Sequence, residues 1–131
     1  VKVIDTSLLV DAQRGRQPAR QRLDELLVTP HGLAISAMTI LEIHAAPRMS
    51  AAWSRFYGAL FGALEVLPLD LEAAREGARL ARDMARRGFR LHNSDAAIAG
   101  CAVRAGAAAI VTTDRDFTEI RGIDVEYVQP S

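Results

Sequence analysis

Four acids stand out in this 131-residue chain because each interrupts apolar sequence: Asp5, Glu42, Asp95 and Asp114. Asp5 ends the run Val1-Lys2-Val3-Ile4, and Asp114 follows Ala109-Ile110-Val111-Thr112-Thr113. Glu42 breaks Met38-Thr39-Ile40-Leu41-Glu42-Ile43, and Asp95 opens the small-residue segment Ser94-Asp95-Ala96-Ala97-Ile98-Ala99-Gly100. Carboxylates rarely enter apolar surroundings unless something pairs with them. If folding gathers these four, each close pair repels by about 4 kcal/mol at ~4 Å and an effective dielectric of about 20. A divalent cation bound by oxygen ligands relieves that repulsion, so the pattern points to metal-assisted chemistry. Taken singly, each acid also has a plainer use. Asp95 suits a helix N-terminus, Asp114 and Asp116 suit a turn after a strand, and Asp5 can cap the helix that follows it. Glu42 is the hardest to explain that way, because so apolar a helix has little reason to carry a Glu.

The elements that must position these acids follow from periodicity. Residues 2–5 read as a short buried strand, and Thr6 or Ser7 can cap a helix over 7–13. Pro18 suits the first turn of a second helix ending near Leu27. A strand at 33–36 precedes a nearly all-apolar helix over 37–46, which Pro47 stops. A further helix over 50–64 carries Trp53, Phe56, Tyr57, Leu60 and Leu64 at helical spacing. After a strand at 66–67, Asp70 caps a long helix to Arg87. Leu71, Ala74, Ala78, Ala81 and Ala85 form its expected apolar stripe, with Glu76–Arg79 and Arg79–Asp83 pairing on the other face. Asn93 or Ser94 caps a helix to Arg104, and strands follow at 109–112 and 125–128. Strands alternating with helices imply an α/β three-layer domain, residues 1–131, with a central, mainly parallel five-stranded sheet flanked by helices. Such sheets bind ligands outside the carboxyl ends of their strands, where Asp5 and Asp114 fall. Asp95, in the first turn of its helix, can join them.

Composition narrows the function. Half the residues are apolar and acids balance bases, sixteen each. A folded core is expected, and the neutral charge argues against a generally basic nucleic-acid binder. Yet fifteen of the sixteen basic residues are Arg, the better phosphate fork. They cluster at Arg14, Arg16, Arg20 and Arg22 and at Arg82, Arg86, Arg87 and Arg90, either as solvated helix faces or as phosphate contacts. The single Cys101 has no disulfide partner, the chain shows no signal-like start, and no apolar run nears the roughly 18–20 residues of a membrane span. A cytoplasmic protein without membrane attachment is expected. His31, His44 and His92 show no metal-ligand spacing.

The pieces Val3-Ile4-Asp5-Thr6-Ser7, Thr39-Ile40-Leu41-Glu42-Ile43, Asn93-Ser94-Asp95-Ala96-Ala97-Ile98-Ala99 and Ile110-Val111-Thr112-Thr113-Asp114-Arg115-Asp116-Phe117 occur in that order. Together they resemble the PIN-domain ribonucleases, in particular the VapC-type toxins of toxin–antitoxin pairs, over essentially the whole chain. The resemblance implies a single PIN domain and an endoribonuclease dependent on Mg²⁺ or Mn²⁺. It carries Asp5, Glu42, Asp95 and Asp114 over as the acidic pocket, with Asp116 as a further member and Thr6 and Thr112 as hydroxyls lining it. Asp5, Asp95 and Asp114 are then the expected metal ligands, and Glu42 the residue that orients or deprotonates the attacking water.

The resemblance further implies a structured RNA substrate, a tRNA or ribosomal RNA loop. Arg14, Arg16, Arg86, Arg87 and Arg90 are the candidate phosphate contacts. A homodimer and a larger hetero-oligomer with a cognate antitoxin are expected, the antitoxin docking on the Trp53, Phe56, Tyr57 and Leu60 stripe beside the 37–46 helix. Two other readings share the residues. One is a PIN-fold interaction protein acting mainly in an antitoxin–DNA repressor complex. The other is a metal-dependent DNase or phosphatase.

Overall fold

Short runs of β-branched and small apolar residues build the strands, and their alternation decides which helices they face. In the computed structural model, which describes residues 1–130, the strands are β1 (Lys2–Ile4), β2 (Leu33–Ser36), β3 (Glu65–Leu67), β4 (Ala109–Thr112) and β5 (Asp124–Tyr127). They pair in the order β3-β2-β1-β4-β5, and every pairing is parallel, where a mainly parallel sheet was expected. Successive strand residues point to opposite faces. Val3, Ala34 and Ile110 therefore enter one core, and Ile4, Ile35 and Val111 the other. Burial on both faces explains why these strands read as unbroken apolar runs.

The helices are α1 (Thr6–Gln13), α2 (Ala19–Val28), α3 (Ala37–His44), α4 (Ala51–Ala63), α5 (Leu71–Arg86) and α6 (Asn93–Arg104). Residues of α1, α2 and α4 fill one core and residues of α5 and α6 the other, giving the expected three layers. None of the helices among the described residues is long and apolar enough to cross a membrane. Leu69, Leu71 and Leu41, the last at 60% exposure on the outer side of α3, remain in solvent.

Helix α5 departs from expectation. Its buried residues are Ala73, Gly77, Leu80 and Met84, whereas Leu71, Ala74, Ala78 and Ala85 are exposed and Ala81 only half-buried. The reason is the approach of α6. A methyl group built on Gly77 would meet the Ala96 carbonyl oxygen at 2.4 Å, and one on Gly100 would meet the Ala73 oxygen at 2.2 Å. Glycine faces glycine, and the backbones touch. Arg79 does pair with Glu76 (2.7 Å), but Asp83 pairs with Arg87 (3.1 Å) rather than with Arg79.

The caps differ in detail. Asp70 accepts from the Ala73 amide at 2.8 Å as expected. Asp5 and His92 occupy the cap positions of α1 and α6, without side-chain caps, in place of Thr6 or Ser7 and Asn93 or Ser94. A 3₁₀ turn over Arg115–Glu119, absent from the sequence reading, follows β4.

Candidate active site

The strand order reverses at β1, which lies between β2 and β4. Helices leaving neighbouring strands in opposite directions open a crevice at their carboxyl ends, the usual ligand site of such sheets. Asp5 follows β1 there, and Asp114 lies two residues beyond β4. Glu42 enters from α3 and Asp95 from the first turn of α6. All four line one open pocket of ≈ 280 Å³, together with Thr6, Ser7, Val10 and Asp11. Four acids separated by up to about a hundred residues meet in one place.

Three of these acids are held by one carboxylate oxygen, two by hydroxyls and one by a backbone amide. Asp5 is buried, and its Oδ2 accepts from Ser7 Oγ at 2.5 Å and Thr112 Oγ1 at 2.7 Å. Thr112 Oγ1 also accepts from the Asp114 amide at 2.9 Å, which fixes the chain where it leaves β4. Asp114 caps the 3₁₀ turn, its Oδ1 accepting from the Asp116 amide at 2.9 Å. Glu42 Oε1 accepts from Thr6 Oγ1 at 2.8 Å, and Thr39 Oγ1 lies 3.0 Å from the same hydroxyl. In each case the second carboxylate oxygen makes no hydrogen bond among the described residues. One oxygen is anchored and the other is left to the pocket.

Electrostatics mark Asp95 as the strained member. Burial, then repulsion from Asp5, Asp114, Glu42 and Asp116, push its carboxyl up to about 7, and no hydrogen bond offsets them. Burial also raises Asp5, opposed by the hydroxyls of Ser7 and Thr112 and reinforced by the charge of Asp114. Asp116 is exposed on the 3₁₀ turn and acts on the pocket through charge alone. Burial first and mutual repulsion second thus disfavour the ionised forms of both acids in the absence of a counter-ion.

The fold that gathers these acids is shared with known proteins. Residues 2–123 match the sequence model of the family described as PIN domain. The chain belongs to the PIN-domain family. It is 32% identical over 126 residues to ribonuclease VapC5 of Mycobacterium tuberculosis, covering 92% of this chain and 87% of that protein. Among solved structures, it resembles the DNA-bound VapBC of Salmonella typhimurium with a TM-score of 0.76 and 27% identity, over 96% of both chains. VapBC-5 of M. tuberculosis matches with a TM-score of 0.66 and 26% identity, over 97% of this chain and 96% of that one.

The donor set of this PIN domain suits a hard cation. Every donor is a carboxylate or hydroxyl oxygen, the ligand type of Mg²⁺ and Mn²⁺. No three His, Cys, Asp or Glu side chains among the described residues converge closely enough to hold an ion by themselves. Mg²⁺ keeps several waters and takes only one or two carboxylates in such sites, so an open ring of acids fits it better than a closed cage.

The other expected residues divide. Thr6 lines the pocket as expected, whereas Thr112 is fully buried behind it and reaches it only through its bond to Asp5. Arg14, Arg86 and Arg90 are exposed. Arg16 and Arg87 are engaged: Arg16 with Asp11 (2.9 Å), and Arg87 with Asp83 and the Glu119 carbonyl at 2.6 Å. The aromatic stripe is not one surface. Tyr57 is fully buried with its hydroxyl donating to Gln13 at 2.6 Å, and Leu60 is core. Only Trp53 and Phe56 stay half-exposed, lining a groove with Ala12, Leu23 and Ala52 from α1, α2 and α4.

Two polar pocket residues escaped the sequence reading. Ser7 bonds Asp5, touches Thr112 at 3.1 Å and accepts from the Thr113 amide at 3.1 Å. Asp11 lines the pocket wall, buried. Their signal was present: the two polar residues of Ser7-Leu8-Leu9-Val10-Asp11-Ala12 are four apart, on one face of a helix that starts beside Asp5.

Proposed function

We propose that this PIN domain is a metal-dependent endoribonuclease, the toxin of a toxin–antitoxin pair, which cuts structured RNA such as a tRNA or ribosomal RNA loop. The observation that carries the reading is the set of four acids, three of them anchored through one oxygen and open through the other, at the switch point of a VapC-like fold. Mg²⁺ or Mn²⁺, when bound, would neutralise charge on the scissile phosphate and lower the pKa of a bound water. Asp5 and Asp95 would hold the ion directly, and Asp114 directly or through one of the ion's waters. Glu42, with Oε1 fixed by Thr6, would orient an attacking water through Oε2 and take its proton. Ser7 and Thr112 favour the charged form of Asp5 against its burial and hold the carboxylate in one orientation.

The kinship with VapC5 and with VapBC complexes supports a cognate antitoxin as partner. The groove of Trp53 and Phe56 between α1, α2 and α4 suits one apolar face of a partner helix, with Arg20 and Asp24 at its edge for polar contacts. A second copy of the chain would cover the exposed Leu41, Leu69 and Leu71 and the alanines 74 and 78 of α5, giving a homodimer. A cytoplasmic site of action follows from an RNA substrate of this kind.

The test is cleavage of total tRNA and ribosomal RNA by the purified chain, with RNA ends mapped by sequencing. A few discrete cuts are expected in Mg²⁺ or Mn²⁺, none in chelator and none with Asp5→Asn. Cleavage that persists in chelator, or that Asp5→Asn leaves intact, overturns the assignment.

A further inference from the structure

One ion pair reaches the acidic pocket, that of Arg16 with Asp11, and its acid has no role in the reading above. Asp11 and Arg16 lie at the end of α1, where Gly15 adopts a φ of 72° and the Arg16 amide donates back to the Asp11 carbonyl at 3.0 Å. That left-handed turn, which glycine takes without steric cost, folds Arg16 over the helix end. Arg16 Nη1 then donates to Asp11 Oδ1 at 2.9 Å, and Thr113 Oγ1 donates to Asp11 Oδ2 at 2.5 Å. Asp11 thus differs from the other acids of the pocket. Both its oxygens are taken, so it is not arranged as a ligand.

The guanidinium is arranged the opposite way. Only Nη1 is engaged; Nε and Nη2 donate to nothing among the described residues, and the side chain is 46% exposed. Arg20, Arg22, Arg75, Arg79 and Arg87 pair with acids elsewhere on the surface. Arg16 alone, among the described ion pairs, is tied to an acid that lines the pocket. A pocket with five carboxylates repels a phosphodiester. A fixed planar fork at its rim, with one edge free, counters that repulsion in the geometry phosphate accepts.

Building on the ribonuclease reading, we propose that Arg16 grips an RNA phosphate at the rim and that Asp11 is its positioning residue. Asp11 fixes the guanidinium relative to Thr113, which directly precedes Asp114. A plain turn-closing ion pair would also hold α1 to its loop, so the two roles must be separated by what RNA feels.

The experiment uses the full chain, with wild type, Arg16→Ala, Arg16→Lys and Asp11→Asn. Asn keeps an acceptor oxygen, which preserves the fold. Cleavage of total tRNA is followed in Mg²⁺. Binding of a fluorescent 12-nucleotide single-stranded RNA is followed by anisotropy across a KCl series, each variant also carrying Asp5→Asn so that the probe survives. Arg16→Ala is expected to weaken binding roughly tenfold, the size of one charge-assisted bond, and to reduce the salt slope by about one. Arg16→Lys restores the slope but not the rate. Asp11→Asn lowers kcat with KM unchanged or lower, because it loosens the guanidinium while removing a negative charge.

If wild type cuts RNA but Arg16→Ala leaves slope and KM unchanged, the phosphate grip is wrong and the ribonuclease reading stands. If Asp11→Asn matches wild type in both kcat and KM, the positioning role is wrong. A wild-type chain that neither binds nor cuts RNA overturns the ribonuclease reading and the grip together.

Discussion

Replacing Asp95 by Asn separates a charge kept for chemistry from one kept for the helix. Asp95 stands in the first turn of α6, where the helix dipole favours an ionised carboxylate by about 0.3–1 kcal/mol. Burial and four neighbouring acids oppose it, raising the carboxyl to about 7. A rise of about three pH units from the ordinary aspartate value corresponds to about 4 kcal/mol at 1.36 kcal/mol per unit. Asp95 is only part-buried, so solvent screening reduces this to about 2 kcal/mol. Repulsion and desolvation outweigh the dipole.

The sign of the pH dependence follows. Between about pH 4 and 7 the unfolded chain has released the Asp95 proton while the folded chain still holds it. Stability of the metal-free protein therefore falls as pH rises through that window and levels off above it. At pH 8 Asp95→Asn should stabilise the metal-free protein by about 2 kcal/mol, a rise in Tm of roughly 6–10 °C for a chain of this size. At pH 5 only about one of the three pH units of that window has been crossed, so the difference should shrink to about a third. Excess Mg²⁺ at about a hundred times Kd should then add about 2.7 kcal/mol to wild type at pH 8 and much less to the variant. Urea unfolding at both pH values, with Mg²⁺ or chelator, gives all four numbers. If Asp95→Asn destabilises the metal-free protein at pH 8, Asp95 is a helix-terminal acid and the crowding argument fails.

Two further outcomes follow from the packing. Gly100→Ala places a methyl 2.2 Å from the Ala73 oxygen and 2.7 Å from the Gly77 amide nitrogen, so α5 and α6 must separate. A loss of about 1–3 kcal/mol or more is expected by thermal melting, with weakened Mg²⁺ binding because Asp95 rides on α6; an unchanged Tm and Mg²⁺ affinity would refute the backbone contact. Trp53→Glu together with Phe56→Glu should abolish capture of an antitoxin encoded beside this chain, whereas Tyr57→Phe should cost about 1 kcal/mol of stability and leave capture unchanged. Loss of capture with Tyr57→Phe alone would place the interface at the core tyrosine after all.

The sequence was legible where pattern and chemistry coincide. β1 and β4 each run out within two residues of an acid, so strand prediction and site prediction supported one another, and α3 betrayed Glu42 by its apolarity. It was illegible where a residue type is content in two places. Alanine costs little exposed or buried, so α5 offered two apolar stripes, and only the contact of Gly77 with α6 selects the one containing Ala73, Leu80 and Met84. Tyr57 likewise fits a surface or a core, and its bond to Gln13 decides for the core.

Asp114 shows that a structural and a chemical use of one acid need not compete. It caps the 3₁₀ turn through Oδ1 and lines the pocket. The cap is what aims it. Asp5 and Glu42 follow the same rule, with hydroxyls on Oδ2 and Oε1. Anchoring one oxygen removes rotamer freedom before any ion arrives, which lowers the entropic cost of binding it. Asp11 shows the converse, since occupation of both oxygens leaves a carboxylate nothing to offer a cation and everything to offer an arginine. The count of free oxygens, which no sequence pattern reveals, is thus what separates the proposed ligands of this pocket from its positioning residue.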